Sequence, residues 1–124
     1  MRALRDGGDI VLAAECVDGL PAHGVYAALL AEASSPDEVL ARVEDAPTPI
    51  ADGWQAQIQA GIQRRASGVY LYSSLSDEVV RRALLTPCHD VAAQVRASLA
   101  ARGPEARLLV LPQGPQTVVY RDEA

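Results

Sequence analysis

The sequence predicts an α/β fold, a small Rossmann-like three-layer sandwich with a mainly parallel sheet, and three observations carry that expectation. Short apolar runs bounded by turn residues, at 9–16, 68–73 and 107–111, have the length and composition of strands buried on both faces. Stretches with helical spacing and recognisable cap residues separate those runs. Strands joined through helices require crossover connections, and crossovers produce a parallel sheet with helices on its faces.

The first strand follows the Gly7-Gly8 pair and ends at Cys16, before the turn residues Asp18 and Gly19. A helix is expected over 24–33, where Val25 and Leu29, then Tyr26 and Leu30, recur four apart. Ser35-Pro36-Asp37-Glu38 joins an N-cap serine, a proline at the first helical position and a glutamate three residues after the cap, so a second helix starts there. Pro47 and Pro49 mark a loop. Asp52 can then cap a helix reaching about Arg65, with Trp54, Ile58 and Ile62 on one face and Gln55, Gln57, Gln59 and Gln63 mostly on the others.

The second strand, 68–73, is rich in Val and Tyr. Ser76 caps a helix with Asp77 and Glu78 in its first turn, and Asp90 caps another that Gly103-Pro104 ends. The third strand is expected at 107–111, and 117–120 can add a short edge strand after the Pro112-to-Pro115 turn.

The length of 124 residues suits one domain, and burying about two thirds of the unfolded surface suffices at this size without disulfides or metals. No apolar run approaches the ~20 residues of a membrane span, and the start lacks a signal-peptide core, so a cytoplasmic location is expected. A net charge of -5 with scattered arginines argues against nucleic acid as a partner. There is no lysine, which excludes Schiff-base chemistry, a Walker-type phosphate lysine and a lysine-tethered cofactor within the chain.

The chemistry-bearing residues are few. Cys16, Asp18 and Gly19 follow the first strand, where sheets of this kind place ligand loops, but their spacing suits ordinary turn chemistry better than a phosphate loop. A thiol at that place could act as a phospho-carrier or redox nucleophile, although no basic neighbour is visible to activate it. Adjacent Cys88-His89, even with Cys16 and His23, lacks zinc-pair spacing, and no metal site is expected. Arg64-Arg65 and Arg81-Arg82 read as exposed helix faces that could meet a carboxylate. Trp54 is either a core anchor or, at a helix start near the sheet's carboxyl edge, an overhanging residue beside a ligand.

The glycine pair, the apolar strand with Cys16-Val17-Asp18-Gly19, the helix start Asp52-Gly53-Trp54-Gln55 and the run into Leu111-Pro112-Gln113-Gly114 follow one another in the chain. In that order these short motifs resemble the C-terminal domain of the nickel-pincer-nucleotide-dependent lactate racemases. The resemblance spans nearly the whole chain and implies a domain, residues 1–124, that closes over an active site built mostly by an N-terminal catalytic domain or a separately encoded catalytic subunit. It implies a small 2-hydroxyacid substrate and a nickel pincer nucleotide attached to a lysine elsewhere, with a histidine pair there moving the proton. No catalytic residue is expected in this chain. Trp54 is carried over as substrate-binding, with Asp52, Gln55, Cys16, Asp18 and Gly19 as possible cleft residues. Two other functions stay open: a stand-alone, non-catalytic α/β binding module, and a thiol or phospho-carrier domain using Cys16.

Overall fold

A computed structural model of the chain describes residues 4–21 and 24–119. Strands β1 (Asp9–Ala13), β2 (Gly68–Tyr72) and β3 (Thr86–Pro87) form a parallel sheet in that order. Asp9 lies opposite Gly68 and Ala13 opposite Tyr72, so β1 and β2 finish level at their carboxyl ends. The crossover between them carries α1 (Tyr26–Ala31), α2 (Pro36–Glu44) and α3 (Gly53–Gln63). Helix α4 (Asp77–Arg82) joins β2 to β3, and α5 (Val91–Arg102) follows. The fold is α/β with a parallel sheet, as the alternation of strand and helix patterns predicts.

Three helix starts form where the cap residues place them. Ser35 Oγ accepts the Glu38 N–H at 3.3 Å, Ser76 Oγ accepts the Val79 N–H at 3.4 Å, and Asp90 Oδ1 accepts the Ala93 N–H at 2.9 Å. Each satisfies one of the donors that a first helical turn leaves open. Gly103, with φ of +75°, ends α5 in a conformation that costs glycine little.

The core is built of small residues where α3 meets its neighbours. Ala56 and Ala60 are fully buried against Leu29 and Leu30 of α1 and Val39 and Leu40 of α2, with Ala33 and Ala83 closing the cluster. Gly53 continues this row, since a Cβ there would stand 3.2 Å from Ile50 Cβ. The face that carries Trp54 and Ile58 is a different one. Trp54 and Ile58 are 57% and 55% exposed, because a row of Gly and Ala lets α2 approach more closely than large side chains would.

Other expectations are corrected. Asp52 occupies the N-cap position of α3 but sits in the left-handed region at φ of 59°, and its side chain makes no capping bond. Residues 107–111 are not a strand: among the described residues no backbone hydrogen bond joins them to the sheet, and Leu108, Leu109 and Val110 are all exposed. The place beside β2 belongs to β3, delivered by a left-handed residue, Leu84, with φ of 58°. Pro87 has no N–H, yet it is tolerated because β3 stands at the sheet's edge. Residues 117–119 likewise form no strand, following a 3₁₀ turn at Gly114–Gln116, while Tyr120 lies outside the described residues.

Candidate functional site

The carboxyl ends of β1 and β2 are laced together beyond the last paired residues. The Ala14 N–H donates to Tyr72 O at 3.0 Å, and both the Ser74 N–H (3.2 Å) and its hydroxyl (2.5 Å) donate to Glu15 O. Open α/β sheets collect ligands at this edge. Leu12 and Tyr72 lie here, 44% and 47% exposed, so the edge presents apolar surface to solvent.

Cys16, Asp18 and Gly19 share the turn that leaves this edge. Cys16 is half-buried in the left-handed region at φ of 57°, and its carbonyl accepts the Gly19 N–H at 2.9 Å. Gly19 carries φ of 69°, which glycine adopts without strain, and Asp18 is exposed. Asp52, Trp54 and Gln55 form a second group at the start of α3, all exposed. Among the described residues no hydrogen bond or ion pair joins the two groups.

Topology sets the direction in which the second group looks. The C-terminal end of α3 meets the amino edge of the sheet, where the Gly7 N–H donates to Arg65 O at 2.7 Å and the Ser67 N–H to Gly8 O at 2.9 Å. The turn bearing Trp54 is therefore at the helix end remote from that edge. With Ile58 one turn on, it gives α3 an apolar stripe facing solvent.

Polar side chains that the sequence placed mostly off the Trp54 face hold this arrangement. Gln59 accepts a hydrogen bond from the Tyr26 hydroxyl and donates from Nε2 to Ala83 O at 2.7 Å, and Gln63 Nε2 donates to Leu84 O at 2.5 Å. Both glutamines are partly buried, so α3 is pinned to α1 and to the turn before β3. Burial raises the Tyr26 phenol above its ordinary pKa. The signal for these roles is the four-residue spacing of Gln59 and Gln63, which continues the buried row of Ala56 and Ala60.

The remaining candidates have partners elsewhere. Arg64 pairs with Asp37 at 2.9 Å, Arg65 with Asp6 at 2.7 Å, and Arg81 with Asp77 at 2.9 Å; Arg82 stands 3.9 Å from Glu78. His89 Nε2 lies 3.2 Å from Asp77, whereas Cys88 is buried, its N–H donating to Leu71 O at 2.9 Å. His23 lies outside the described residues. Among the described residues no cluster of three or more His, Cys, Asp or Glu side chains could hold a metal, and no helix is long and apolar enough to cross a membrane.

The sequence profile of a family described as the lactate racemase C-terminal domain matches residues 2–119. A lactate racemase of Thermoanaerobacterium thermosaccharolyticum is 31% identical over 121 residues, which are 94% of this chain and 28% of that protein. The apoprotein structure of the lactate racemase from the same organism superposes with a TM-score of 0.81 at 26% identity, covering 96% of this chain and 29% of the other. The chain thus spans less than a third of the relative's length.

Proposed function

The chain belongs to the lactate racemase C-terminal domain family, and from that membership we propose that it works as part of a lactate racemase-like 2-hydroxyacid racemase or epimerase. In this reading it closes over an active site whose reacting groups are supplied by a catalytic domain or a separately encoded catalytic subunit. Trp54 lies against the substrate, and Asp52, Gln55 and the turn holding Cys16, Asp18 and Gly19 line the same cleft. The nickel pincer nucleotide is the cofactor proposed for the complete enzyme. This chain contributes no amine for the cofactor's lysine tether, having no lysine, so its attachment is assigned to the catalytic part.

The observation that carries the reading is the exposure of Trp54. A sole tryptophan at 57% exposure, backed by Ile58 at 55%, is a large apolar surface that the domain's own core leaves uncovered. Aromatic side chains in such positions are common contact residues.

A chimera tests the proposal: this chain replaces the corresponding domain of the T. thermosaccharolyticum lactate racemase, and interconversion of D- and L-lactate is measured. The chimera is expected to racemise lactate, the chain alone is not, and Trp54→Ala in the chimera should lower kcat/KM by about tenfold or more. Racemisation by the isolated chain, or a folded, cofactor-loaded chimera without activity, would refute it.

A further inference from the structure

The segment 107–111 has the composition of a strand and no sheet to belong to. Leu108, Leu109, Val110 and Leu111 are apolar at four consecutive positions, with exposures of 56%, 55%, 66% and 37%. Strands with one solvated face alternate between apolar and polar residues, and an uninterrupted run belongs to a strand covered on both faces. Here both faces keep more than a third of each residue in solvent, and among the described residues the backbone of the segment pairs with nothing. Helix α5, which precedes it, has no fully buried residue, and Val118 beyond it is 86% exposed.

The comparisons bear on what covers it. The family profile runs through residue 119 and the superposition covers 96% of the chain, so the segment belongs to the shared domain. That domain is only 28–29% of the racemase chain, which leaves the larger part of such a protein as the available neighbour. A second copy of this chain is the poorer fit. Two such segments paired with each other would make a two-stranded ribbon, which is marginal in water and covers neither face.

We propose that residues 107–111 are an interdomain strand, which adds to the edge of a β-sheet in the catalytic part of the racemase and buries Leu108 to Leu111 between the two parts. The proposal rests on the reading that the chain works within such a racemase. Backbone pairing supplies the fixed register and the apolar side chains supply the cover, as in other cases of strand addition. The segment would then set where the domain seats on its partner, while Trp54 faces the cleft from α3.

Hydrogen exchange on the same chimera tests this separately from activity. In the isolated chain the amides of 108–111 should exchange as those of an open loop, and in the chimera they should slow by about 100-fold or more. Val110→Asp should lower lactate racemisation by the chimera while leaving the melting temperature of the isolated chain unchanged, because the segment is outside that chain's core. An active chimera whose 108–111 amides exchange as fast as in the isolated chain overturns the strand and leaves the proposed function standing. An inactive, folded chimera removes the proposed function, and the strand falls with it. A dimer of the isolated chain with these amides protected assigns the segment to a second copy and equally overturns the proposal.

Discussion

Truncating a buried tryptophan to alanine costs about 3–5 kcal/mol, whereas changes on exposed surface stay within about half a kcal/mol. With 57% of its surface in solvent, Trp54 falls between these limits and nearer the second. Trp54→Ala is expected to cost under about 1.5 kcal/mol in denaturant unfolding, and acrylamide should quench the folded chain's sole indole strongly. A loss of 3 kcal/mol or more, with a shielded indole, would place Trp54 in the core and remove the cleft role proposed for it. Its exposure is legible from its place at a helix start, one turn before Ile58. The exposure of Ile58 is not. Periodicity alone cannot say whether a helix buries its large residues or the Gly53, Ala56, Ala60 row beside them, and close approach of α2 decides for the small ones.

The start of α2 shows an element whose stability depends on pH. Glu38 Oε2 accepts the Ser34 N–H at 2.7 Å and Oε1 accepts the Ser34 hydroxyl at 2.9 Å, reaching one residue further back than the capping box expected from Ser35. These bonds, with the Arg42 charge nearby, hold the Glu38 carboxyl below its ordinary pKa. A depressed carboxyl stabilises the fold above its unfolded pKa, and that contribution is lost as pH falls through the folded value. Glu38→Gln should therefore lower the melting temperature at neutral pH, with the difference shrinking as pH falls through the carboxyl's depressed folded value. A difference independent of pH would mean that the carboxylate's charge contributes nothing. Cap chemistry is local, so Ser35, Ser76 and Asp90 can be read from sequence. Strand pairing is not local. The 107–111 run has the better strand composition, yet β3 takes the place beside β2 because the chain, turned at Leu84, brings Thr86 opposite Tyr70.

At the scale of the whole molecule, one polar cluster ties the first strand to the last helix. Asp9 Oδ1 accepts from Arg102 Nη2 at 2.8 Å, and Oδ2 accepts from Arg102 Nη1 at 3.0 Å and from the Ser98 hydroxyl at 2.5 Å. Arg102 Nη2 also donates to Gly7 O at 2.6 Å, so a single guanidinium holds both β1 and the glycine pair before it. The Asp9 side chain is only 10% exposed, and α5 has no fully buried residue to hold it by apolar packing alone. The cluster is thus expected to carry much of the docking of α5. Arg102→Ala should cost about 1.5–3 kcal/mol, the range for hydrogen bonds to charged groups, because it leaves a nearly buried carboxylate with Ser98 as its remaining side-chain partner. Arg102→Lys should recover only part of that, since an ammonium cannot meet both carboxylate oxygens and Gly7 O in the planar geometry of a guanidinium. A cycle with Asp9→Asn isolates the pair: the two single losses added together should exceed the loss of the double variant, because each alone strands the other's charge. Additive losses, or full rescue by lysine, would show that α5 is held by its half-buried Val95 and Leu99, with the ion pair as ornament on the surface.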